Sequence, residues 1–588
     1  MENPDRVTYF AATDSRGKRL PFGLKEKDRS RHMYVIGKTG MGKSTLLENM
    51  AIQDIRNGEG LAFIDPHGGT ADKLLEYIPA NRINDVVYFA PFDLNQPIAF
   101  NVMEDVGYDK RHLVVSGLMA TFKKIWEDAW SARMEYILTN TLLALLEYPD
   151  ATLLGVNRMY TDKAYRKKVV DNVKDPVVKD FWVKEFAAYT DRYTQEATPS
   201  IQNKIGQFTG NPLIRNIIGQ PKSSFDFRDL MDRKKILIIN LSKGQVGETN
   251  MRLLGSMLTT RIFLGAMSRA DLSGADIARQ PNFYFYVDEF QNFANETFAE
   301  ILSEARKYKL NLIIAHQYIE QMEEEVRAAV FGNVGTTVAF RVGPFDAETL
   351  ETIFMPEFIK DDLVNLGLRQ IYLTLMIDGV GSRPFSAVTI PPIEAPPTTY
   401  RDEVIQASRQ QFGAPRSQIE EYIFNELLLS TETSPENAPA PSRPPVRRTP
   451  SKEPTARSQN SEPRREDHAR SVPAHTERPR ELERPQEVRQ EPVRTPPAKS
   501  AEDLKSILRT MTSSQNAKKN LPAPPSSPNA AQTPSLKTAL SDVLKKQGPP
   551  PTTPSRVPEL KEALAAVERT HRPFEVPEET LKAIFKEQ

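Results

Sequence analysis

The sharpest chemistry in the chain lies near its start. Gly37-Lys38-Thr39-Gly40-Met41-Gly42-Lys43-Ser44 has the spacing G-x-x-x-x-G-K-[ST], the pattern of a loop that wraps a polyphosphate. Its glycines let the backbone curl so that successive N–H groups converge on phosphate oxygens. The helix expected to follow turns its positive N-terminal end toward the same anion. Lys43 is the group expected to reach the β- and γ-phosphates, and Ser44 the one expected to hold Mg2+. With Thr45, residues 37–45 form the expected ATP-binding stretch. The context fits: an apolar run, Met33-Tyr-Val-Ile36, leads in, and Lys43–Arg56 leads out with Leu46, Leu47, Met50 and Ile55 on one side of a helix.

A second acidic motif complements the first. Phe283-Tyr-Phe-Tyr-Val-Asp288-Glu289 is an apolar strand that ends in two carboxylates. Beside a phosphate loop, Asp288 is expected in the Mg2+ shell and Glu289 is expected to polarise the attacking water. By itself, Asp-Glu after a strand is also an ordinary helix start, since carboxylates favour a helix N-terminus. Asp65-Pro66-His67-Gly68 ends another apolar run. The chain has seven histidines and no cysteine, and no ligand cluster surrounds His67 in sequence. That turn is expected to shape the pocket edge, with the role of His67 left open.

The elements that must position these residues alternate in type. Short apolar runs at Met33–Ile36, Leu61–Ile64, Val86–Phe89, Lys235–Leu241, Phe283–Val287, Leu312–Ala315 and Thr337–Phe340 are separated by helical patterns, and Ile371–Ile377 and Phe385–Thr389 are candidates to close the sheet. This pattern predicts an α/β fold with a largely parallel sheet covered on both faces. Residues 105–230 break the rhythm: Lys110–Glu147 and Asp162–Gln207 read as helices, and Trp126, Trp130 and Trp182 all fall here. An all-α insertion into the α/β domain is expected, because so long a helical stretch fits poorly in an ordinary sheet crossover; the alternative is one large shared core. The expected organisation is 1–104 and 231–430 as the two parts of the ATPase domain, 105–230 as the insertion, and 431–588 as a tail.

Composition separates the tail from the body. Lys plus Arg and Asp plus Glu are both 77, so the net charge is zero, but from Thr431 onward there are 27 basic and 21 acidic residues. The remaining body is mildly acidic, which excludes a protein that coats DNA with its whole surface and leaves room for local contact. The last 158 residues hold 26 of the 46 prolines and two aromatics, Phe574 and Phe585. Such a segment buries too little apolar surface to offset its ordering entropy, so disorder is expected. Within it, Leu504–Leu508, Leu536–Leu540, Leu560–Leu564 and Leu581–Phe585 share a Leu-Lys-x-[Ala/Ile]-[Leu/Phe] core. Apolar residues at i and i+4 would share one helical face, suited to a partner's groove and to avidity. No apolar run approaches the roughly 18 residues that cross a bilayer, so the expected location is cytoplasmic, with any membrane contact made through a partner subunit.

The motifs, in order, resemble the FtsK/HerA class of ring ATPases. Gly60-Leu-Ala-Phe-Ile-Asp-Pro-His-Gly68, Val287-Asp-Glu-Phe-Gln-Asn-Phe293, Ser303-Glu-Ala-Arg-Lys-Tyr308 and Asn311-Leu-Ile-Ile-Ala-His-Gln317 are similar to the corresponding elements of TraG/TraD-type conjugative coupling proteins. The resemblance implies a RecA-like phosphate-loop fold, ATP and Mg2+ as ligands, and Gln317 as a sensor of the γ-phosphate. It also implies a ring, expected to be a hexamer, with an arginine supplied across the subunit boundary; Arg341 and Arg306 are the candidates. The work implied is DNA transfer into a type IV secretion machine. Two alternatives stay open: a HerA-like DNA-processing motor, and a nucleotide-gated scaffold that gathers partners through its tail. The familiar coupling proteins carry N-terminal membrane-spanning helices, and no apolar run in residues 1–30 is expected to form one.

Overall fold

The computed structural model describes residues 4–14 and 18–428. The chain divides into two units, Met1–Arg448 and Thr449–Gln588; the second lies outside the described residues. So do the expected disordered tail, 431–588, and its four Leu-Lys motifs.

The strands are β1 (Val7–Thr13), β2 (Pro21–Lys25), β3 (Met33–Ile36), β4 (Gly60–Asp65), β5 (Val86–Phe89), β6 (Ile236–Asn240), β7 (Phe283–Val287), β8 (Leu310–His316), β9 (Thr336–Ala339), β10 (Gln370–Thr374), β11 (Met376–Ile377), β12 (Val380–Gly381) and β13 (Phe385–Thr389). Eleven of them form one sheet in the order β2-β1-β13-β10-β9-β3-β8-β7-β4-β6-β5, while β11 and β12 make a separate hairpin. From β9 to β5 every pairing is parallel. The other side, β10, β13, β1 and β2, is antiparallel. The fold is therefore α/β with a mostly parallel sheet, as the alternation of apolar runs and helices predicts.

Burial explains the sequence pattern. Strands β3, β4, β6, β7 and β8 are buried at every position, because helices cover both faces of a parallel sheet. One face carries the helices Lys43–Arg56 and Gly69–Glu76, through Leu46, Leu47, Met50, Leu74 and Leu75. Helices between β5 and β6, together with Glu248–Met267, cover the other face. Strand β10 instead alternates between buried and partly exposed positions, which suits an antiparallel strand covered on one side.

No strand interrupts residues 90–235. The expected helix Lys110–Glu147 is two helices, Arg111–Ile125 and Ala132–Leu146. The break falls where Ser131 caps the second helix by accepting from the Met134 N–H at 3.3 Å. Asp162–Gln207 is likewise a series of short helices. Their apolar side chains, Phe122 and Phe208 among them, join one continuous buried cluster with Ile64, Val87 and Phe285 of the sheet.

Candidate nucleotide site

The parallel strands place the chemistry along their C-terminal edge, the edge where ligands bind in open α/β sheets. The phosphate-loop pattern follows β3, Asp65 ends β4, Asn240 ends β6, Asp288 and Glu289 follow β7, Gln317 follows β8, and Arg341 follows β9 closely. Strand β8 lies between β3 and β7. Gln317 therefore stands between the loop and the two carboxylates.

Backbone contacts fix the loop. The Gly37 N–H donates to the His316 carbonyl at 3.2 Å, and the Lys38 N–H donates to the Arg341 carbonyl at 2.8 Å. A Cβ on Gly37 would sit 2.5 Å from the Cβ of Phe340, so only glycine fits. Gly42 has φ 116 and precedes the helix Lys43–Arg56, a conformation that disfavours any side chain. The Lys43 ammonium donates to the carbonyls of Gly37 at 2.7 Å and Lys38 at 3.3 Å. Burial lowers its pKa, with Glu289 and Asp288 opposing the shift. Thr39 and Gly40 are exposed at the tip of the loop, and Met41 is buried beneath it.

The Ser44 hydroxyl donates to Oδ2 of Asp288 at 2.8 Å. Burial raises the Asp288 pKa to about 6, helped by Glu289 and Asp65 and opposed by the Ser44 hydroxyl and Lys43. A hydroxyl and a carboxylate meeting beside a lysine at a helix start form an oxygen donor pair of the kind Mg2+ takes, with phosphate and water completing its shell. Among the described residues no group of three or more His, Asp or Glu side chains forms a metal site.

Glu289 has φ 48 and ψ 50, left-handed for a non-glycine residue, a strained conformation of the sort that collects at functional sites. Both its carboxylate oxygens are held. Gln317 Nε2 donates to Oε1 at 2.6 Å, and Gln291 Nε2 donates to Oε2 at 2.6 Å. The segment after Gln317 is pinned in turn, because the Ile319 N–H donates to Oδ1 of buried Asp346 at 2.8 Å. The His316 imidazole lies 3.2 Å through Nδ1 from the Tyr34 hydroxyl. Burial, with Lys43 and Lys124 nearby, pushes its pKa down to about 3, so it is neutral at physiological pH.

The Asp65 turn is held by its own carboxylate, which accepts from the N–H groups of His67 at 2.8 Å, Thr70 at 2.8 Å and Ala71 at 3.0 Å. Gly68 has φ 89, and a Cβ there would lie 2.7 Å from Oδ1 of Asn240. Asp65 is thus the group that builds the turn, whereas the His67 side chain is exposed.

The structure brings Lys43, Ser44, Asp288, Glu289 and Gln317 together. Arg341 is exposed on the same sheet edge. Arg306 is exposed in the turn Ala305–Tyr308 that precedes β8, and Arg31, next to the start of β3, depresses its pKa after burial. That is the opposite end of the sheet, separated from the phosphate loop by the length of β8, about 20 Å at 3.3 Å per residue. Gln291, His316, Asp346 and Asn240 escaped the sequence reading. Gln291, His316 and Asn240 lie inside the quoted segments Val287–Phe293, Asn311–Gln317 and Lys235–Leu241, but their partners, like that of Asp346, are set by the folded chain.

The family model for the DNA-binding domain of type IV secretion-system coupling proteins matches residues 19–354, a span that holds the phosphate loop, both carboxylates and Gln317. The chain belongs to this coupling-protein family. Solved structures similar to the chain include the plasmid coupling protein TrwB in complex with ADP and Mg2+, at 14% identity over 68% of this chain and 99% of that one, with TM-score 0.48. TrwB in complex with the non-hydrolysable ATP analogue ADPNP is 14% identical over 67% of this chain and 96% of that one, with TM-score 0.46. VirB4 of Thermoanaerobacter pseudethanolicus is 13% identical over 68% of this chain and 99% of that one, with TM-score 0.42. No curated protein matches this coupling protein. Among its described residues, no helix is long and apolar enough to cross a membrane.

Proposed function

We propose that this coupling protein hydrolyses ATP with Mg2+ and uses the energy to move DNA through an oligomeric ring, a hexamer in the family's expected form. The observation that carries the reading is the joining of Ser44 to Asp288 at 2.8 Å beside Lys43, with Glu289 in contact with Gln317. Membership of the coupling-protein family supports the link to DNA and to type IV secretion. In this reading residues 1–104 and 231–430 form the motor, and 105–230 are an all-α insertion.

The residues divide the work. Backbone N–H groups of 37–45 and the Lys43 ammonium bind the phosphates. Ser44 and Asp288 would hold Mg2+, which when bound offsets the negative charge of the β- and γ-phosphates. Glu289 orients a water and accepts its proton as the water oxygen bonds to the γ-phosphorus and the bond to the β–γ bridging oxygen breaks, giving ADP and phosphate. Gln317 and Gln291 occupy both oxygens of Glu289 in this arrangement; a γ-phosphate offers Gln317 a more highly charged acceptor and frees one carboxylate oxygen for water. Of the two candidate arginines, exposure on the catalytic sheet edge favours Arg341 as the one that completes a neighbour's site.

Movement of DNA is tested by displacing streptavidin from the end of a biotinylated single strand and a triplex-forming strand from a duplex. ATP-dependent displacement of either, lost with ADPNP, is the expected result. ATP hydrolysis without displacement of either would exclude the motor and favour the nucleotide-gated scaffold.

A further inference from the structure

The helical segment reaches the catalytic edge through one side chain. Lys124 is the penultimate residue of the helix Arg111–Ile125. Its ammonium donates to the Ala294 carbonyl and stands 3.8 Å from Oε1 of Glu323, with the lysine side chain only 22% exposed. These two partners belong to different catalytic loops. Ala294 ends a compact turn that begins at Glu289: the Asn292 N–H donates to the Glu289 carbonyl at 3.0 Å, and the Ala294 N–H donates to the Phe290 carbonyl at 2.9 Å. Glu323 lies beyond Gln317, after the turn Ile319–Gln321 and just before the helix Glu324–Asn333. One cation therefore joins the loop that carries Glu289 to the loop that carries its partner Gln317.

The other end of the connection is packed against the core. Two residues after Lys124, the Trp126 ring packs at 5.7 Å from Phe122 and 5.3 Å from Phe208, and Phe122 and Phe208 belong to the buried cluster. A shift at the end of this helix must therefore move packed side chains, and a shift of those side chains must move the lysine. A cleft of about 250 Å³ opens beside the contact, lined by Ala120, Lys123, Lys124, Glu127, Asn295 and Glu323, so the ammonium has space in which to change position.

We propose that Lys124 is a positioning residue that couples the helical segment to ATP hydrolysis by holding the Glu289 and Gln317 loops in register. The coupling is reciprocal: what binds the helices alters the placement of Glu289, and nucleotide at the phosphate loop alters the helices. This rests on the ATPase reading given above.

All three tryptophans, Trp126, Trp130 and Trp182, lie in the helical segment, so the emission of the full chain reports on that segment alone. Mg-ADPNP is the probe, its binding followed by calorimetry, and Lys124→Met and Lys124→Arg are compared with the native chain. Native protein is expected to bind the probe with a change in tryptophan emission. Lys124→Met is expected to bind within about threefold of native affinity, to lose most of the emission change, and to show kcat lower by about tenfold, or roughly 1.4 kcal/mol. Lys124→Arg keeps a donor for Ala294 and a charge for Glu323 and is expected to restore most of both. A Met variant with native emission change and native kcat would overturn the proposal. So would Met and Arg variants equally impaired alongside a common loss of thermal stability, the pattern of a purely structural lysine. Native protein that fails to bind the probe would instead remove the ATP-site reading, and this inference with it.

Discussion

Ser44, Asp288 and Glu289 meet within one small region, yet their contacts separate their tasks. Ser44 and Asp288 bond each other and, in the proposed reading, would hold a cation, while Glu289 bonds two amides and would act on water once one of them is drawn away. Asp288→Asn is therefore expected to weaken Mg-ADPNP binding by at least about tenfold, as the loss of a charged oxygen ligand beside phosphate implies, with little effect on ADPNP binding measured in EDTA. A pH effect belongs to this scale as well. Burial lowers His32 from 6.5 to about 4, and its Nδ1 accepts from the Leu312 N–H at 3.1 Å. Between those pH values the folded state binds fewer protons than the unfolded state, so stability falls as pH drops below 6.5, by an order of 2 kcal/mol at pH 5 from this residue. His32 has φ 61, which asparagine tolerates, and the asparagine Oδ1 can replace the acceptor. Thermal melts of His32→Asn are expected to lose less stability than native protein between pH 7 and 5; an unchanged slope would contradict the assignment. Residues 37–45 and the Asp288-Glu289 pair were legible because their chemistry demands fixed types at fixed spacing. Asp346 was not, since its partner Ile319 N–H comes from a loop 27 residues away and nothing in either segment announces the other.

Elements were legible in proportion to their burial. The parallel strands stand out as solid apolar runs, and every one the sequence suggests is present within a residue or two of its expected limits. Strands β1 and β2 went unread. Val7–Thr13 mixes polar and apolar residues without clean alternation, and its pairing with β2 carries an irregularity between Tyr9 and Ala11. Gly23 and Pro21 weaken β2 as a pattern, though Gly23 is required because a Cβ would lie 1.9 Å from the Thr8 carbonyl oxygen. Helix packing is sensitive in the same way. On the helix Arg111–Ile125, a Cβ at Gly117 would lie 2.6 Å from Cγ2 of Thr260 on the helix Glu248–Met267. Gly117→Ala should cost about 1–3 kcal/mol through forced separation of the two helices. Gly274 starts the short helix Gly274–Arg279, and a Cβ there would meet nothing within 4 Å, so its alanine variant should stay within about 0.5 kcal/mol of native. Denaturant melts that rank the two variants the other way would refute the packing argument.

For the whole molecule, the proposed DNA motor must contact its track over a limited surface, because the body is mildly acidic and a whole-surface DNA footprint would be basic. Assembly makes a distinct prediction about arginine. If Arg341 completes a neighbour's site, Arg341→Ala and Glu289→Gln chains, each inactive alone, should regain part of the native ATPase rate when mixed, because some boundaries then combine an intact base with an intact arginine. Arg306→Ala should retain activity by itself. Failure of the mixture to regain activity would remove Arg341 from the shared site. The central claim is tested most directly by the steady-state ATPase rate of the full chain, with and without single- and double-stranded DNA, native beside Glu289→Gln. The account predicts hydrolysis that rises several-fold with DNA, as expected of a motor whose step is coupled to its track, and falls by at least about a hundredfold in a variant that still binds nucleotide, in line with the loss of a catalytic base. Hydrolysis indifferent to both DNAs, or a Glu289→Gln rate equal to native, would contradict it.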